Sequence, residues 1–138
     1  MSSEKPAISI ATPHVPVSWG ELIDKITILE IKSARLSSAA ALQNVRKELG
    51  QLNEKTLPLG DMAHHVAPLK ADLTRVNEAL WEIEDKIRDK EGAKAFDAEF
   101  IELARSVYIT NDKRAALKRQ INQLLASELV EEKGYAAY

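Results

Sequence analysis

The sequence predicts an all-α fold: an antiparallel bundle of three to four long helices with coiled-coil-like seams and an extended N-terminal arm. Apolar residues recur three and four positions apart over most of the chain, which is the helical period. The 138 residues include only 5 glycines and 5 prolines, too few for the turns of an all-β domain. With 45% apolar and 29% charged residues, the composition is that of a globular chain. We expect an arm at residues 1–17 and a single helical domain at residues 18–138.

Charge and cysteine content exclude several functional classes. Nineteen basic residues face 21 acidic ones, so the basic excess typical of nucleic-acid-binding proteins is missing. The chain has no cysteine, which excludes disulfides, thiolate zinc sites, iron–sulfur clusters and thiol catalysis. The N-terminus has no secretory pattern, and no apolar run approaches the roughly 20 residues needed to span a bilayer. We therefore expect a cytoplasmic protein with no nucleic-acid partner and no membrane span.

The first helix is predicted to begin at Ser18, after an arm that prolines keep extended. Pro6, Pro13 and Pro16 interrupt residues 1–17 and bias the residues before them away from helix. Ser18 and Glu21 fit a capping box, in which each side chain accepts the backbone amide of the other residue. A lone extended segment cannot form a sheet, so we expect the arm to pack on helices of its own chain or of a partner.

Two apolar series follow Ser18, out of phase by about two residues. The first consists of Leu22, Ile26, Leu29 and Leu36, and the second of Leu42, Val45, Leu49 and Leu52. Ser37 and Ser38 lie between the two series. This pattern leaves two alternatives: a break with a serine cap, or one long helix whose apolar face shifts.

A connector and a third helix come next. Pro58 and Gly60 predict a connector over residues 53–67, and Pro68 suits the first turn of the following helix. Gly92 is a natural end for that helix. Its apolar residues form a seam of nearly three heptads: Leu69, Leu73, Val76, Leu80, Ile83 and Ile87.

The last helix is predicted to start after an Asp97 cap and to continue to about Glu132, roughly 35 residues and about 52 Å. Its seam is Phe100, Leu103, Val107, Leu117, Ile121 and Leu124. Thr110 and Arg114 occupy the two seam positions in between, inside a polar segment at residues 110–114. A helix of this length overhangs the other helices, and its exposed seam invites a second copy of the chain.

The polar segment in the last seam is the first candidate site. An inward-pointing Arg114 must be paired, because an isolated buried charge is very costly. The carboxylates available on the facing helices are Asp24, Glu30, Glu78, Glu82 and Asp85. An anion-binding site between helices and a structural network that fixes helix register both explain the pattern. The structural interpretation is favoured, since buried polar residues in seams are well attested as register devices.

A wider set of residues carries the alternative hypothesis of ligand binding. All-helical chorismate mutases catalyse by electrostatic stabilisation with arginines, a lysine and a carboxylate, on a comparable architecture. Trp81 beside Glu82 also resembles a sugar-binding edge, although core packing is the favoured interpretation. The candidate ligand-binding residues are Lys25, Asn77, Trp81, Glu82, Arg105, Asn111 and Arg114.

Catalytic and metal-binding motifs are missing from the sequence. It contains no nucleophile elbow, Walker loop, dinucleotide fingerprint or zincin motif, so we assign no catalytic residue. Asp61 lies three residues before His64, a weak metal spacing within the predicted connector, and His65 cannot share a helix face with His64. We expect no metal and no cofactor.

Three sequence blocks in this order resemble a family of small, mostly helical bacterial proteins described only as a domain of unknown function. The resemblance covers most of the chain from Val15 to Tyr135, and it implies a helical bacterial protein without an assigned activity. It also implies a link of some relatives to cell-surface polysaccharide metabolism, and it assigns no residue a role. The blocks are PVSWGELIDKITILEIK, VNEALWEIED and FIELARSVYITND.

The sequence leads to two main functional hypotheses; a third, association with RNA or a membrane surface through the basic residues between Lys113 and Arg119, is not favoured over a solvated face. The first is a non-catalytic protein–protein interaction or oligomerisation module that forms a homodimer and binds a further, unidentified protein partner. The alternative is a small all-α ligand-binding protein or enzyme with an anion site between helices. The alternative requires Arg105 and Arg114 to converge on a common cavity.

Overall fold

The computed structural model describes residues 7–138, and its only regular elements in that range are helices, which confirms the predicted all-α class. Part of the predicted arm, residues 1–6, lies outside the described residues, and residues 7–17 form no helix or strand. None of the helices within residues 7–138 has the length and apolar character needed to cross a membrane. The α-helices are α1 (Trp19–Arg35), α2 (Ala39–Glu54), α3 (Ala63–Gly92) and α4 (Ala98–Leu124), with a 3₁₀ helix at Leu57–Met62.

Serine and aspartate side chains cap the helices at the predicted places. Ser18 Oγ accepts the Glu21 amide at 3.1 Å, which is half of the predicted capping box. The other half is wrong, because the Glu21 carboxylate pairs with Lys118 on α4. Asp97 Oδ1 accepts the Phe100 amide at 3.0 Å at the start of α4.

The structure has a break between α1 and α2, the first of the two alternatives at Ser37–Ser38. Leu36 is the first residue after α1 and has an extended backbone. Ser38 Oγ accepts the Ala41 amide at 3.3 Å and so caps α2. The change of apolar phase therefore marks two helices that fold back on each other.

The predicted connector at residues 53–67 is wrong in extent. α2 continues to Glu54, a 3₁₀ helix fills most of the gap, and α3 begins at Ala63, five residues before Pro68. Pro68 removes only one helical hydrogen bond near the helix start. Val66, in the added turn, is buried in the core with Ile23, Leu73 and Ile121. Burial of Val66 stabilises the turn in spite of the proline.

Helix α1 lies at the centre of the structure and packs against each of the other three α-helices. Eight of its 17 residues are buried, including apolar residues on more than one side. A helix that is apolar on several faces is typical of a central position. α2 packs on α1, and the antiparallel pair of α3 and α4 forms the other side of the bundle.

The α3–α4 hairpin extends beyond its contacts with α1. No residue from Glu78 to Leu117 is buried, although this stretch contains seven of the twelve predicted seam residues of α3 and α4. The polar contacts of α1 reach no further along the hairpin than Glu82 on α3 and Arg114 on α4. We call residues 83–110 the hairpin tip.

Helix α4 ends at Leu124, so the prediction of a helix to about Glu132 is wrong. Ala126 has a left-handed backbone with φ +48°, and the Ser127 amide donates to the Asn122 carbonyl at 2.8 Å. Such a residue after the last turn ends a helix. Residues 125–138, which we call the tail, return along α4 until the Tyr138 ring lies 5.0 Å from the Tyr108 ring.

Because Ala126 adopts a left-handed backbone, Ala126→Gly is expected to stabilise the protein by about 1 kcal/mol. Glycine adopts positive φ without the steric cost that the alanine Cβ incurs. Urea unfolding followed by circular dichroism measures the change. Ala79→Gly, at an exposed position inside α3, is the control and is expected to destabilise by about 1 kcal/mol. Equal effects of the two substitutions would contradict the strain at Ala126.

Candidate functional site

A buried polar cluster of Asp24, Thr27, Asn77 and Arg114 joins three helices. Asp24 on α1 is 0% exposed. Its Oδ1 accepts from Asn77 Nδ2 on α3 and from Arg114 Nε on α4, both at 2.9 Å, and its Oδ2 accepts from Arg114 Nη2. Asn77 Nδ2 also lies 2.9 Å from Thr27 Oγ1. One carboxylate therefore holds both other long helices against α1.

Position along the helices explains how the buried polar cluster forms. Asp24 and Thr27 are three residues apart and share one face of α1. The Thr27 hydroxyl donates to the Asp24 carbonyl at 2.7 Å, so it is free to accept from Asn77. No buried side-chain nitrogen or oxygen among the described residues lacks a hydrogen-bond partner. Every buried side-chain nitrogen and oxygen of the cluster thus has a hydrogen-bond partner within the protein.

The electrostatics of the cluster follow from the ion pair. The hydrogen bond to Asp24 raises the pKa of Arg114 further, against the effect of burial. The Arg114 side chain keeps 29% of its surface exposed. Removing one partner of such a pair leaves an uncompensated charge, which typically costs about 3–5 kcal/mol. The cluster links α1 to α3 and α4 and pairs Arg114 with a carboxylate of a facing helix; that it fixes helix register stays a prediction.

A second polar contact lies one turn earlier on α1 and one turn later on α4. Lys118 Nζ lies 2.7 Å from both Glu21 of α1 and Glu131 of the tail, and its side chain is only 10% exposed. Burial alone would lower the pKa of Lys118, but its hydrogen bonds to Glu131 and Glu21 outweigh burial and raise it. Hydrogen bonds from Lys118 and Lys133 lower the pKa of Glu131 to about 2. This contact fastens the tail to the helices.

The start of α1 lies against α4 so closely that only glycine fits at position 20. The Gly20 amide donates to Asn122 Oδ1 at 2.7 Å. A Cβ on Gly20 would overlap the Lys118 carbonyl oxygen and lie 2.9 Å from Asn122 Oδ1. Close backbone approach at Gly20 therefore brings the start of α1 directly against α4, one turn before Asp24.

Only some of the predicted site residues meet in the structure. Arg114 and Asn77 share Asp24, and Asn111 lines the same groove as Arg114. Arg105 instead pairs with Glu102 at 3.1 Å on the surface and does not line that groove. Arg105 and Arg114 therefore do not converge on it.

The other three predicted site residues lie elsewhere. Lys25 lies 4.0 Å from Glu48 on α2, an exposed pair. Glu82 pairs with Arg35, whose guanidinium lies 5.6 Å from the centre of the Trp81 ring. Trp81 and Glu82 thus contact α1 through Arg35.

Several contact residues were not among the predicted site residues. Arg114, Lys118 and Asn122 recur every four residues and form one polar face of α4. This face meets Asp24, Glu21 and Gly20 of α1 in reverse order, as antiparallel helices require. The four-residue spacing is visible in the sequence and could have revealed the face. Glu131 has no comparable signal, because it reaches the face only after the tail turns back.

His64 and His65 lie in a helix and not in a connector as predicted, because much of residues 53–67 is helical. His64 and His65 lie in the first turn of α3 and are exposed. Within residues 7–138, no group of three or more histidine, aspartate or glutamate residues is placed to hold a metal ion.

Two grooves lie beside the polar contacts. The larger, about 1070 Å³, lies between the second half of α4 and the tail. We call it the tail groove; its lining includes basic, acidic and tyrosine side chains. The smaller, about 450 Å³, lies between α1 and α3 and is lined mainly by alanines and two ion pairs.

A double-mutant cycle on Asp24 and Arg114 tests the buried polar cluster. Asp24→Ala and Arg114→Ala are each expected to lower the free energy of unfolding by about 3–5 kcal/mol, because each leaves a charge unpaired. The double variant is expected to lose less than the sum of the two, since no unpaired charge is left. Urea unfolding measures all three. Glu102→Ala, in the exposed pair with Arg105, is the control and should change stability by about 0.5 kcal/mol or less. Strict additivity would contradict the coupling.

The lowered pKa of Glu131 predicts a pH-dependent tail. A carboxyl group whose pKa falls from 4.5 to about 2 on docking stabilises the docked tail above pH 4.5. That stabilisation is lost as the pH falls from 4.5 towards 2. Nuclear magnetic resonance of the Tyr138 and Glu131 amides is expected to report undocking in this range. Glu131→Gln should remove most of the pH dependence, and Glu128→Gln, at an exposed tail position, should keep it. Identical pH profiles for the two variants would contradict the role of Glu131.

Comparison with known proteins gives one family match. The model of the Family of unknown function (DUF6165) matches residues 13–138, nearly the whole chain. Comparisons with curated proteins and with solved structures found no match. The match covers α1 to α4 and the tail, and therefore every residue of the buried polar cluster. The chain belongs to this family of unknown function.

Proposed function

We propose that the protein is a non-catalytic oligomerisation module whose hairpin tip pairs with the hairpin of a second copy. The observation that carries the proposal is the stretch from Glu78 to Leu117, in which no residue is buried. Apolar residues at heptad spacing gain their full stabilisation only when other helices cover them. On α3 and α4 these residues are half-buried within the hairpin, as in an antiparallel coiled coil with one side open.

Large apolar side chains on the outside of the tip support the same proposal. Phe96 and Ile101 are each 55% exposed, and Ile109 is 37% exposed. Two hairpins packed together form a four-helix bundle, which covers an apolar surface wider than one seam. A two-fold dimer uses the same surface on both copies and is the commonest oligomer.

Charge favours one orientation of the two hairpins. Residues 82–99 carry seven acidic and four basic side chains, so the end of each hairpin is acidic. Two acidic ends side by side would repel each other. The antiparallel orientation, in which each tip lies along the middle of the partner's hairpin, keeps them apart. A second copy in this orientation is therefore the occupant that we propose for the tip.

The exposed residues before α1 offer a further contact within the same assembly. Ile8 and Ile10 are more than 80% exposed and are two positions apart, so they face one side of an extended segment. We propose that this segment acts as an extended arm that packs on helices of the assembly. We also propose that the protein is located in the bacterial cytoplasm, because a chain without cysteine needs no oxidising compartment for disulfide formation. There the dimer binds a further, unidentified protein partner.

The oligomeric state of tip variants tests the proposal. The wild-type chain is expected to have twice its monomer mass of 15.3 kDa in native mass spectrometry and in sedimentation experiments. Ile101→Glu places a charge in the proposed interface and is expected to produce a folded monomer. Leu57→Glu, at a residue 77% exposed in the 3₁₀ helix, is the matched control and is expected to stay dimeric.

Circular dichroism of each variant separates loss of association from loss of folding. A wild-type chain that stays monomeric up to high micromolar concentration would overturn the proposal. The same holds if Ile101→Glu and Leu57→Glu have equal effects on the dimer.

A further inference from the structure

The tail groove has the size of a small-molecule site. Its volume of about 1070 Å³ is slightly above the range usual for ligand pockets, so a small molecule fits with room to spare. One wall is the polar face of α4, which the buried polar cluster holds in place. The other wall is the tail, which is fixed at Glu131 and at Tyr138. Both walls are therefore defined by specific contacts.

The carboxylate side chains in the tail groove already accept hydrogen bonds from the protein. Glu131 accepts hydrogen bonds from Lys118 and Lys133, and the Asp112 carboxylate accepts the Tyr138 hydroxyl. These are the two carboxylate side chains among the lining residues. Part of the negative charge in the groove is therefore already paired with donors of the protein.

In contrast, several hydrogen-bond donors of the groove have no acceptor among the described residues. Arg114 uses Nε and Nη2 on Asp24, and its Nη1 makes no hydrogen bond with the residues that the structure describes. Arg119 and Asn111 line the groove, and neither has a side-chain hydrogen bond or an ion pair within residues 7–138. Two guanidinium groups and an amide are suited to an anion with several oxygen atoms, such as a phosphate.

The Arg114 guanidinium is also held rigidly. Its inner edge is bound to a carboxylate that is 0% exposed and that Asn77 holds in turn. A donor fixed in this way loses little conformational freedom when an anion binds, which favours affinity. The hydrogen bonds of Nε and Nη2 to Asp24 thus fix the orientation of Nη1, the nitrogen that is left to bind a ligand.

Tyrosine rings supply an apolar contact next to these donors. Tyr135 lines the groove and is 84% exposed, and Tyr108 and Tyr138, which form an edge-to-face pair, also line it. Aromatic side chains stack on sugar or base rings. We propose that the tail groove binds a small phosphorylated ring compound, with its phosphate on Arg114 and Arg119 and its ring against Tyr135.

Ligand titrations followed by nuclear magnetic resonance test this site. Adenosine monophosphate, glucose phosphate and inorganic phosphate are the probes, with adenosine and citrate in parallel. Shifts of the Asn111, Arg119 and Tyr135 amides with the phosphorylated ring compounds, and weaker ones with adenosine and citrate, would support the proposal. No shift with any phosphorylated probe would overturn it, as would equal binding of citrate.

Variants of exposed residues sharpen the test without unfolding the protein. Arg119→Ala is expected to weaken binding of adenosine monophosphate about tenfold or more, because a charge-assisted hydrogen bond is lost. Arg46→Ala, an exposed arginine on α2, is the matched control and is expected to leave binding unchanged. Tyr135→Ala should weaken binding of the ring compounds and leave that of inorganic phosphate unchanged. Equal affinities of Arg119→Ala and the wild-type chain would overturn the site.

The site and the oligomer are separable, since the tip substitution Ile101→Glu lies outside the groove lining. The mass of each groove variant in native mass spectrometry shows whether binding was lost together with association. Ligand binding by a monomeric Ile101→Glu chain would support the site by itself.

Discussion

Both oxygens of the Asp24 carboxylate are bound by side chains from other helices, and no part of Asp24 reaches solvent. A carboxylate in this position is tolerated only with a cation and hydrogen-bond donors in place. Arg114 and Asn77 meet this requirement, and in doing so they fix how α1 lies across α3 and α4. The close contact at Gly20 and the pairing of Lys118 follow from the same placement. The tail, which is bound to Lys118, depends on it as well.

Position in the fold separates the structural residues from those available for function. The inner edge of Arg114 is committed to the buried polar cluster, whereas its outer edge lies in the tail groove. Among the described residues, no hydrogen bond or ion pair joins the hairpin tip to α1, whereas several join the central part of the bundle to it. Polar residues thus hold the middle of the molecule, and two solvent-facing regions are left for recognition.

Local sequence patterns predicted that the chain is helical and where α1 and α4 begin, but not how the helices are arranged. The caps at Ser18 and Asp97 depend on neighbours within three residues, so the sequence predicts them well. The sequence left five carboxylates as possible partners of Arg114. Asp24 is the one that pairs with it, because of how α1 crosses the hairpin. The end of α4 was missed because residues 125–133 favour helix by composition, and alanine at position 126 gives no hint of a left-handed backbone. The tail groove could not be predicted, since it exists only once the tail returns.

The burial of Asp24 also has a consequence for the order of folding. The hairpin of α3 and α4 is closed by five residues, so it can form early at a small entropic cost. The Asp24 side chain can give up its bound water only where Arg114 and Asn77 already stand together. We therefore expect α1 to dock after the hairpin has formed. The desolvation of Asp24 during docking is expected to contribute much of the free-energy barrier to folding. Until α1 docks on the hairpin, the apolar residues of α1 in a newly synthesised chain are exposed to solvent. The chain is therefore most prone to aggregation before docking.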